Sequence, residues 1–195
     1  MSSGKRLLDV IAAIIALTIF APVLVVAAIL IRKEDGGEAL FRQVRVGRHA
    51  QSFVIFKLRT MHNGEHVTKI GRWLRQSGID EVPQFINVLR GDMSVVGPRP
   101  LTEEDLQRLG WAADEQRQAV RPGITGVAQI FGGQTADQSS ELDRLYVTHM
   151  GVRTDIELIL ISFMMNMAGK TNVRRWLTMH RFAKEARSNV NGSIG

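Results

Sequence analysis

The sequence predicts an α+β, helix-rich domain held to a membrane by its N-terminus, and three observations carry that expectation. Residues 7–31, LLDVIAAIIALTIFAPVLVVAAILI, form one apolar run in which Asp9 is the only charge. Residues 39–56, ALFRQVRVGRHAQSFVIF, hold two β-rich pieces around Gly47. Beyond them lie several segments with helix-start signals or helical spacing.

The apolar run comes first in the chain. A stretch of about 18 or more apolar residues is long enough to cross a bilayer. It exceeds a signal-peptide core, and no small-residue cleavage site follows it, so it is expected to remain in the mature protein. Lys5 and Arg6 precede it and Arg32 and Lys33 follow it, so both ends prefer the cytoplasmic side. Pro22 lacks an N–H and frees the carbonyl of Thr18, whose hydroxyl helps to satisfy the break. Two forms follow. Composition favours a kinked helix that crosses fully, because proline is tolerated in spanning helices. The paired basic ends favour a helix that enters one leaflet, bends at Pro22 and returns. Asp9 is expected to pair with Lys5, Arg6 or backbone donors rather than to do chemistry.

The two β-rich pieces read as a hairpin leading into Lys57, Leu58, Arg59 and Thr60. KIGRWLRQ (69–76) is a short helix whose basic side chains suit a membrane surface, and QFINVLR (84–90) is a second helical candidate. Gly97, Pro98, Arg99 and Pro100 hold Arg99 in a rigid, extended turn. Thr102 with Glu103, Glu104 and Asp105 starts a helix expected to reach about Gln118. Arg121, Pro122 and Gly123 end that region, and ITGVAQIFG (124–132) looks strand-like. Residues 154–168 are apolar behind an acidic start and too short for a comfortable span, which leaves a core helix or an interfacial one. Residues 174–184 form a basic, aromatic-bearing helix candidate suited to a headgroup interface or to a solvated surface. The expected division is a membrane segment over 1–35 with its break near Pro22, a catalytic domain over 36–187, and a disordered tail over 188–195.

Composition narrows the class. A chain of 195 residues suffices for one domain, and 45% hydrophobic against 23% charged residues excludes ordinary disorder. The absence of cysteine excludes disulfides and thiolate metal sites, and it fits a reducing cytoplasm. The net charge of +6 suits nucleic acid, an anionic membrane surface or phosphorylated small molecules, without choosing among them.

Asp80 and Glu81 are the chemical candidates. Adjacent acids are common on solvated surfaces, but Arg72, Arg75, Arg90 and Arg99 lie near in sequence and suit anionic phosphates. A carboxylate can attack phosphorus to form an acyl phosphate, and a second can hold Mg²⁺. The chain lacks a Walker-type phosphate loop, an HExxH zinc motif and a GxSxG nucleophile turn. Of the five histidines, His62 and His66 are four apart, but Asn63 and Gly64 between them argue for a turn and exposed side chains.

The sequence resembles the small monotopic phosphoglycosyl transferases, bacterial sugar transferases that act on polyprenyl phosphate. The resemblance runs from Lys5 to about Ala168, through KRLLD (5–9), FRQVRVG (41–47), FKLRTM (56–61), IGRWLRQSGIDEVPQFINVLRGDMSVVGPRP (70–100), RPGITGVAQ (121–129) and LDRLYV (142–147). It implies that Asp80 would attack the β-phosphate of a UDP-sugar, release UMP and carry the phosphosugar covalently to polyprenyl (undecaprenyl) phosphate. Glu81 would bind Mg²⁺. Arg75 and Arg99 match positions that handle phosphates, and Lys57, Gln129 and Asp155 match polar positions of the active-site region; Arg59, Arg117 and Arg121 complete the expected substrate contacts. Alternatively, Asp155 could cap its helix, Gln129 satisfy backbone, and Arg99 brace its turn. The resemblance also implies the re-entrant form of the N-terminal helix, on the cytoplasmic face of the bacterial inner membrane. SGIDEVPQ stands here for the commoner SLDELPQ, and Ala21-Pro22 for Ser-Pro. Nucleic acid is not an expected partner, and a homo-oligomer stays open. Two other classes stay open: a catalytically silent membrane adaptor, and a basic nucleic-acid-binding module, which leaves the apolar N-terminus unexplained.

Overall fold

The computed structural model describes residues 3–62, 64–111, 114–131 and 135–168. The basic helix candidate at 174–184 and the expected tail at 188–195 lie outside those residues.

Helix α1 (Ser3–Asp35) runs on through Pro22 for 33 residues. Its outward face repeats at helical spacing: Leu7, Ile11, Ile14, Ile15, Ile19, Val25, Val26, Ile29 and Leu30 are all exposed. Its inward face touches down at two places, Lys5, Asp9 and Ala13 near the start and Ala27 and Ile31 near the end, and no residue between Ala13 and Ala27 is buried. Those two contacts enter different apolar clusters. Ala13 joins the main core with Val88, Met93, Val96, Tyr146 and Leu158. Ala27 and Ile31 join Ala39, Leu58 and Leu74.

Strands β1 (Leu40–Val46) and β2 (Ser52–Leu58) pair antiparallel, with Leu40 opposite Leu58 and Val46 opposite Ser52, as the hairpin pattern predicts. His49 and Ala50 hold left-handed backbone at the tip (φ 55° and 58°), a strained conformation for residues with a Cβ. Short strands β3 (Met61–His62) and β4 (His66–Val67) make a second, smaller hairpin on which both histidines are exposed, as expected.

Helix α2 (Lys69–Ser77) is capped twice. Thr68 Oγ1 accepts from Gly71 N at 2.9 Å, and the Glu34 carboxylate accepts from Lys69 N at 2.8 Å and Ile70 N at 3.3 Å, tying α2 to the end of α1. Gly78 ends α2 in the left-handed region (φ 71°), the position where glycine has no steric penalty. A single 3₁₀ turn (Ile79–Glu81) leads into α3 (Gln84–Arg90). Asn87 on α3 is fully buried and locks the hairpin to it, accepting from Phe56 N at 3.1 Å and donating to Val54 O at 2.7 Å.

Strand β5 (Ser94–Val96) pairs parallel with β6 (Gly123–Thr125). Their backbones meet where only glycine fits: a Cβ on Gly123 would stand 2.1 Å from Gly97 N. Two expectations fail between and after them. The helix expected from Thr102 to about Gln118 is split into α4 (Glu103–Arg108) and α5 (Glu115–Gln118), because Gly110 turns left-handed (φ 71°) and Trp111 N folds back onto Leu106 O at 2.8 Å. The strand-like ITGVAQIFG yields only β6 before the chain coils into α6 (Val127–Phe131). The close approach of Gly126 to Gly97 ends the strand there, as a Cβ on Gly126 would stand 2.2 Å from Gly97 O.

Helix α7 (Ala136–Thr148) begins on a Thr135 cap and buries Leu142, Leu145 and Tyr146. Helix α8 (Val152–Ala168) is neither wholly core nor wholly interfacial. Leu158, Ile161 and Met165 are buried, while Ile156, Leu160, Phe163 and Met164 are exposed. The result is a helix-rich fold with small strands and one long apolar N-terminal helix.

Candidate active site at the 3₁₀ turn

The turn at Ile79–Glu81 takes its place from its flanks. Gly78 stops α2, Pro83 starts α3, and buried Val82 holds the turn onto the domain. Asp80 faces inward at 8% exposure. Glu81 stays near the surface and accepts from Lys57 Nζ at 2.7 Å, the lysine coming from the end of β2. Arg75, on the last turn of α2, donates through Nε to Thr60 Oγ1 at 2.8 Å.

Burial pushes the Asp80 carboxyl up to about 6, with the Glu81 charge adding to the rise and Lys57 and Arg75 opposing it. Two acids and two cations therefore act on one another here. An inward carboxylate with a raised pKa is a better nucleophile than a solvated one, and the flanking cations suit a phosphate.

The other predicted site residues make contacts with partners outside this cluster. Arg59 turns back to the connection between α1 and β1, where its Nε donates to Glu38 O at 2.6 Å. Arg99 is exposed on its turn, and its charge helps to lower the pKa of Arg45, after burial and against Asp105; it is not among the charges that shift Asp80. Arg117 is buried beneath that turn, where its Nη2 donates to Arg99 O and its Nε to Asp143 Oδ2 at 3.2 Å. Arg121 lies over Gly91 with Arg6; burial lowers its pKa first, followed by the charges of Arg6 and Arg48. Gln129 sits against Gly126, where an added Cβ would lie 2.6 Å from its Oε1.

Asp155 does not cap α8. It is buried between α1 and α7, accepting from Lys5 Nζ through Oδ2 and from the Tyr146 hydroxyl at 2.9 Å through Oδ1. Lys5 also donates to Val96 O at 3.2 Å. Asp9 takes the backbone option: its Oδ1 accepts from Val95 N and Ser94 Oγ, each at 2.9 Å. Sequence reasoning missed Thr60, the anchor of Arg75, and Tyr146. Thr60 had a signal in its place inside FKLRTM, whereas nothing in the chain order points Tyr146 at Lys5.

Mg²⁺ asks for oxygen donors, and it is commonly held by one or two carboxylates together with substrate phosphates. Glu81, the expected ligand, stands near the surface and offers one such carboxylate. Among the described residues no group of three or more His, Cys, Asp or Glu side chains gathers that could hold a metal ion, so substrate phosphates would have to complete any coordination here.

Residues 1–169 match the family model described as bacterial sugar transferase. A UDP-glucose:undecaprenyl-phosphate glucose-1-phosphate transferase of Caulobacter vibrioides is 40% identical over 178 residues, covering 80% of this chain and 67% of that protein. A UDP-N-acetylgalactosamine-undecaprenyl-phosphate N-acetylgalactosaminephosphotransferase of Aeromonas hydrophila is 36% identical over 175 residues, covering 80% of this chain and 41% of that protein. The exopolysaccharide production protein ExoY of Rhizobium meliloti is 32% identical over 186 residues, covering 80% of this chain and 82% of that protein. The chain thus spans well under half of the Aeromonas relative and most of the Rhizobium one.

Proposed function

The chain belongs to the bacterial sugar transferase family, and from that premise we propose that it moves a sugar 1-phosphate from a UDP-sugar to polyprenyl phosphate at the cytoplasmic face of the bacterial inner membrane. The product would open glycoconjugate assembly. The observation that carries this reading is the inward Asp80 with its raised pKa, set between Glu81, Lys57 and Arg75.

In the first step an Asp80 carboxylate oxygen attacks the β-phosphorus. A new P–O bond forms, the bond from that phosphorus to the bridging oxygen breaks, and UMP leaves. In the second step a phosphate oxygen of the lipid attacks the same phosphorus, giving the polyprenyl diphosphate sugar and restoring the carboxylate. Lys57 and Arg75 neutralise charge on the transferring phosphate, and Lys57 also holds Glu81 in place. Mg²⁺ held by Glu81, with Asp80 beside it, would supply charge neutralisation on the diphosphate. Arg99 contributes a further phosphate contact from its rigid turn.

Attachment is monotopic in this reading. Both ends of α1 dock on one domain, through the Lys5–Asp155 pair at the start and the Glu34 cap at the end. A crossing helix would have to give up one of these contacts, which supports attachment from one side of the bilayer with the outward apolar stripe against the lipid, although the helical run itself is not interrupted at Pro22.

The test is intact-protein mass spectrometry after incubation with Mg²⁺ and a panel of UDP-hexoses and UDP-N-acetylhexosamines, without lipid acceptor. A phosphosugar-sized mass gain, lost in Asp80→Asn, is the expected result. UMP release without any adduct would overturn the covalent step.

A further inference from the structure

Arg117 and Asp143 are both almost fully enclosed, with side chains 6% and 3% exposed. Burying such a pair costs desolvation of both ions, and the cost is only partly offset here, because Asp143 Oδ1 has no hydrogen-bond partner among the described residues. The Arg117 guanidinium lies 5.5 Å from the Trp111 ring centre, and its Nε donates to Asp143 Oδ2. Its backbone N donates to Asp114 Oδ1 at 3.1 Å, fixing the start of α5. Its Nη2 donates to the carbonyl of Arg99.

That carbonyl is the point of leverage on the turn. Gly97 N donates to Thr125 O at 2.9 Å, Gly123 N to Pro98 O at 2.8 Å, and Val46 N to Leu101 O at 2.9 Å, so backbone partners hold the turn on either side of residue 99. Pro98 and Pro100 fix their own φ, and Pro100 also confines the backbone of Arg99 to extended conformations. Pinning the Arg99 carbonyl fixes the remaining peptide plane, and with it the direction in which the exposed Arg99 side chain leaves the backbone.

We propose that Arg117 and Asp143 are positioning residues for Arg99, aiming its guanidinium at a phosphate of the nucleotide-sugar donor from inside the domain. This rests on the phosphate role given to Arg99 above. The pair touches no substrate; α5 and α7 act on the site through one carbonyl.

The experiment measures donor KM and kcat of the full chain in Mg²⁺, with thermal melting of every variant. Arg117→Met strands a buried carboxylate, so the informative variant is R117M/D143L, which replaces the ion pair by apolar side chains. R117M/D143L should fold and raise donor KM about tenfold, with a smaller change in kcat. Arg117→Lys, which keeps the charge opposite Asp143, should recover part of that loss. Arg99→Ala should raise KM by a similar factor, and adding R117M/D143L to it should cost little more, because the two act through one contact. A raised KM in Arg99→Ala with an unchanged KM in folded R117M/D143L overturns the brace alone. An unchanged KM in Arg99→Ala overturns the phosphate role and the brace together.

Discussion

At the scale of single residues, the environment of Asp80 has a consequence for stability. Its carboxyl rises from an ordinary value of 3.8 to about 6, chiefly through burial. The ionised form is therefore less stable in the folded protein than in the unfolded chain. That cost is absent below 3.8, grows as pH rises through the window up to about 6, and is complete above it, at about 3 kcal/mol. In metal-free buffer near pH ~7.5, Asp80→Asn should melt at a higher temperature than the parent protein, and the gap should close as pH falls toward ~4. A variant that melts lower at neutral pH would contradict the burial cost. Lys57 makes a contrasting case. Its ion pair with Glu81 is partly exposed, at 24% and 40%, so water screens it and Lys57→Met should cost less than about 1 kcal/mol in melting experiments. The same variant should slow adduct formation about tenfold or more, because its charge faces the transferring phosphate. Asp80 and Glu81 were legible in sequence because their chemistry and their flanking glycine and proline are local. Arg117 was not: its residue type suggests a ligand contact, and only the approach of α7 makes it a structural brace.

At the scale of elements, what could be read in advance was what depends on neighbours in the chain. The β1–β2 hairpin, α2, α3 and the helical character of 154–168 follow from alternation, caps and apolar spacing. One of the two misreadings falls where a distant backbone decides. ITGVAQIFG has β-favouring residues, yet Gly126 must pass over Gly97, and the strand stops at Thr125. Acidic residues after Thr102 signal a helix start correctly, and the stop has a local signal too, Gly110 behind Arg108, which the expectation of a helix to Gln118 passed over. The β5–β6 contact yields a direct test. Gly123→Ala should lose about 2–3 kcal/mol by overpacking, seen as a lower melting temperature, because the added carbon meets backbone rather than a movable side chain. Lys5→Met should be costlier, by roughly 3–5 kcal/mol, since it leaves the buried Asp155 carboxylate without its cation.

At the scale of the whole molecule, helix α1 contributes to two apolar clusters, one through Ala13 and one through Ala27 and Ile31, as β2 does through Ile55 and Leu58. Sequence alone left crossing and re-entry both open, since a proline and paired basic ends are compatible with either. Contacts at both ends of the helix favour re-entry, and topology can be measured directly in a chain that has no cysteine of its own. Single cysteines at Ser3 and at Glu38 should both resist a membrane-impermeant maleimide in intact cells and both react after permeabilisation. Labelling of Ser3→Cys from outside would instead make α1 a crossing helix.

The double docking of α1 also bears on how a water-soluble form could be obtained. Cutting the chain after Asp35 would remove Ala13 from one cluster and Ala27 and Ile31 from the other, and would leave Asp155 without Lys5 and the start of α2 without Glu34. The anchor is thus a beam of the building as well as its mooring. Solubility has to come from repainting the outer stripe, with polar residues at positions such as Ile11, Ile15, Ile19 and Val26, while the inward face is left untouched.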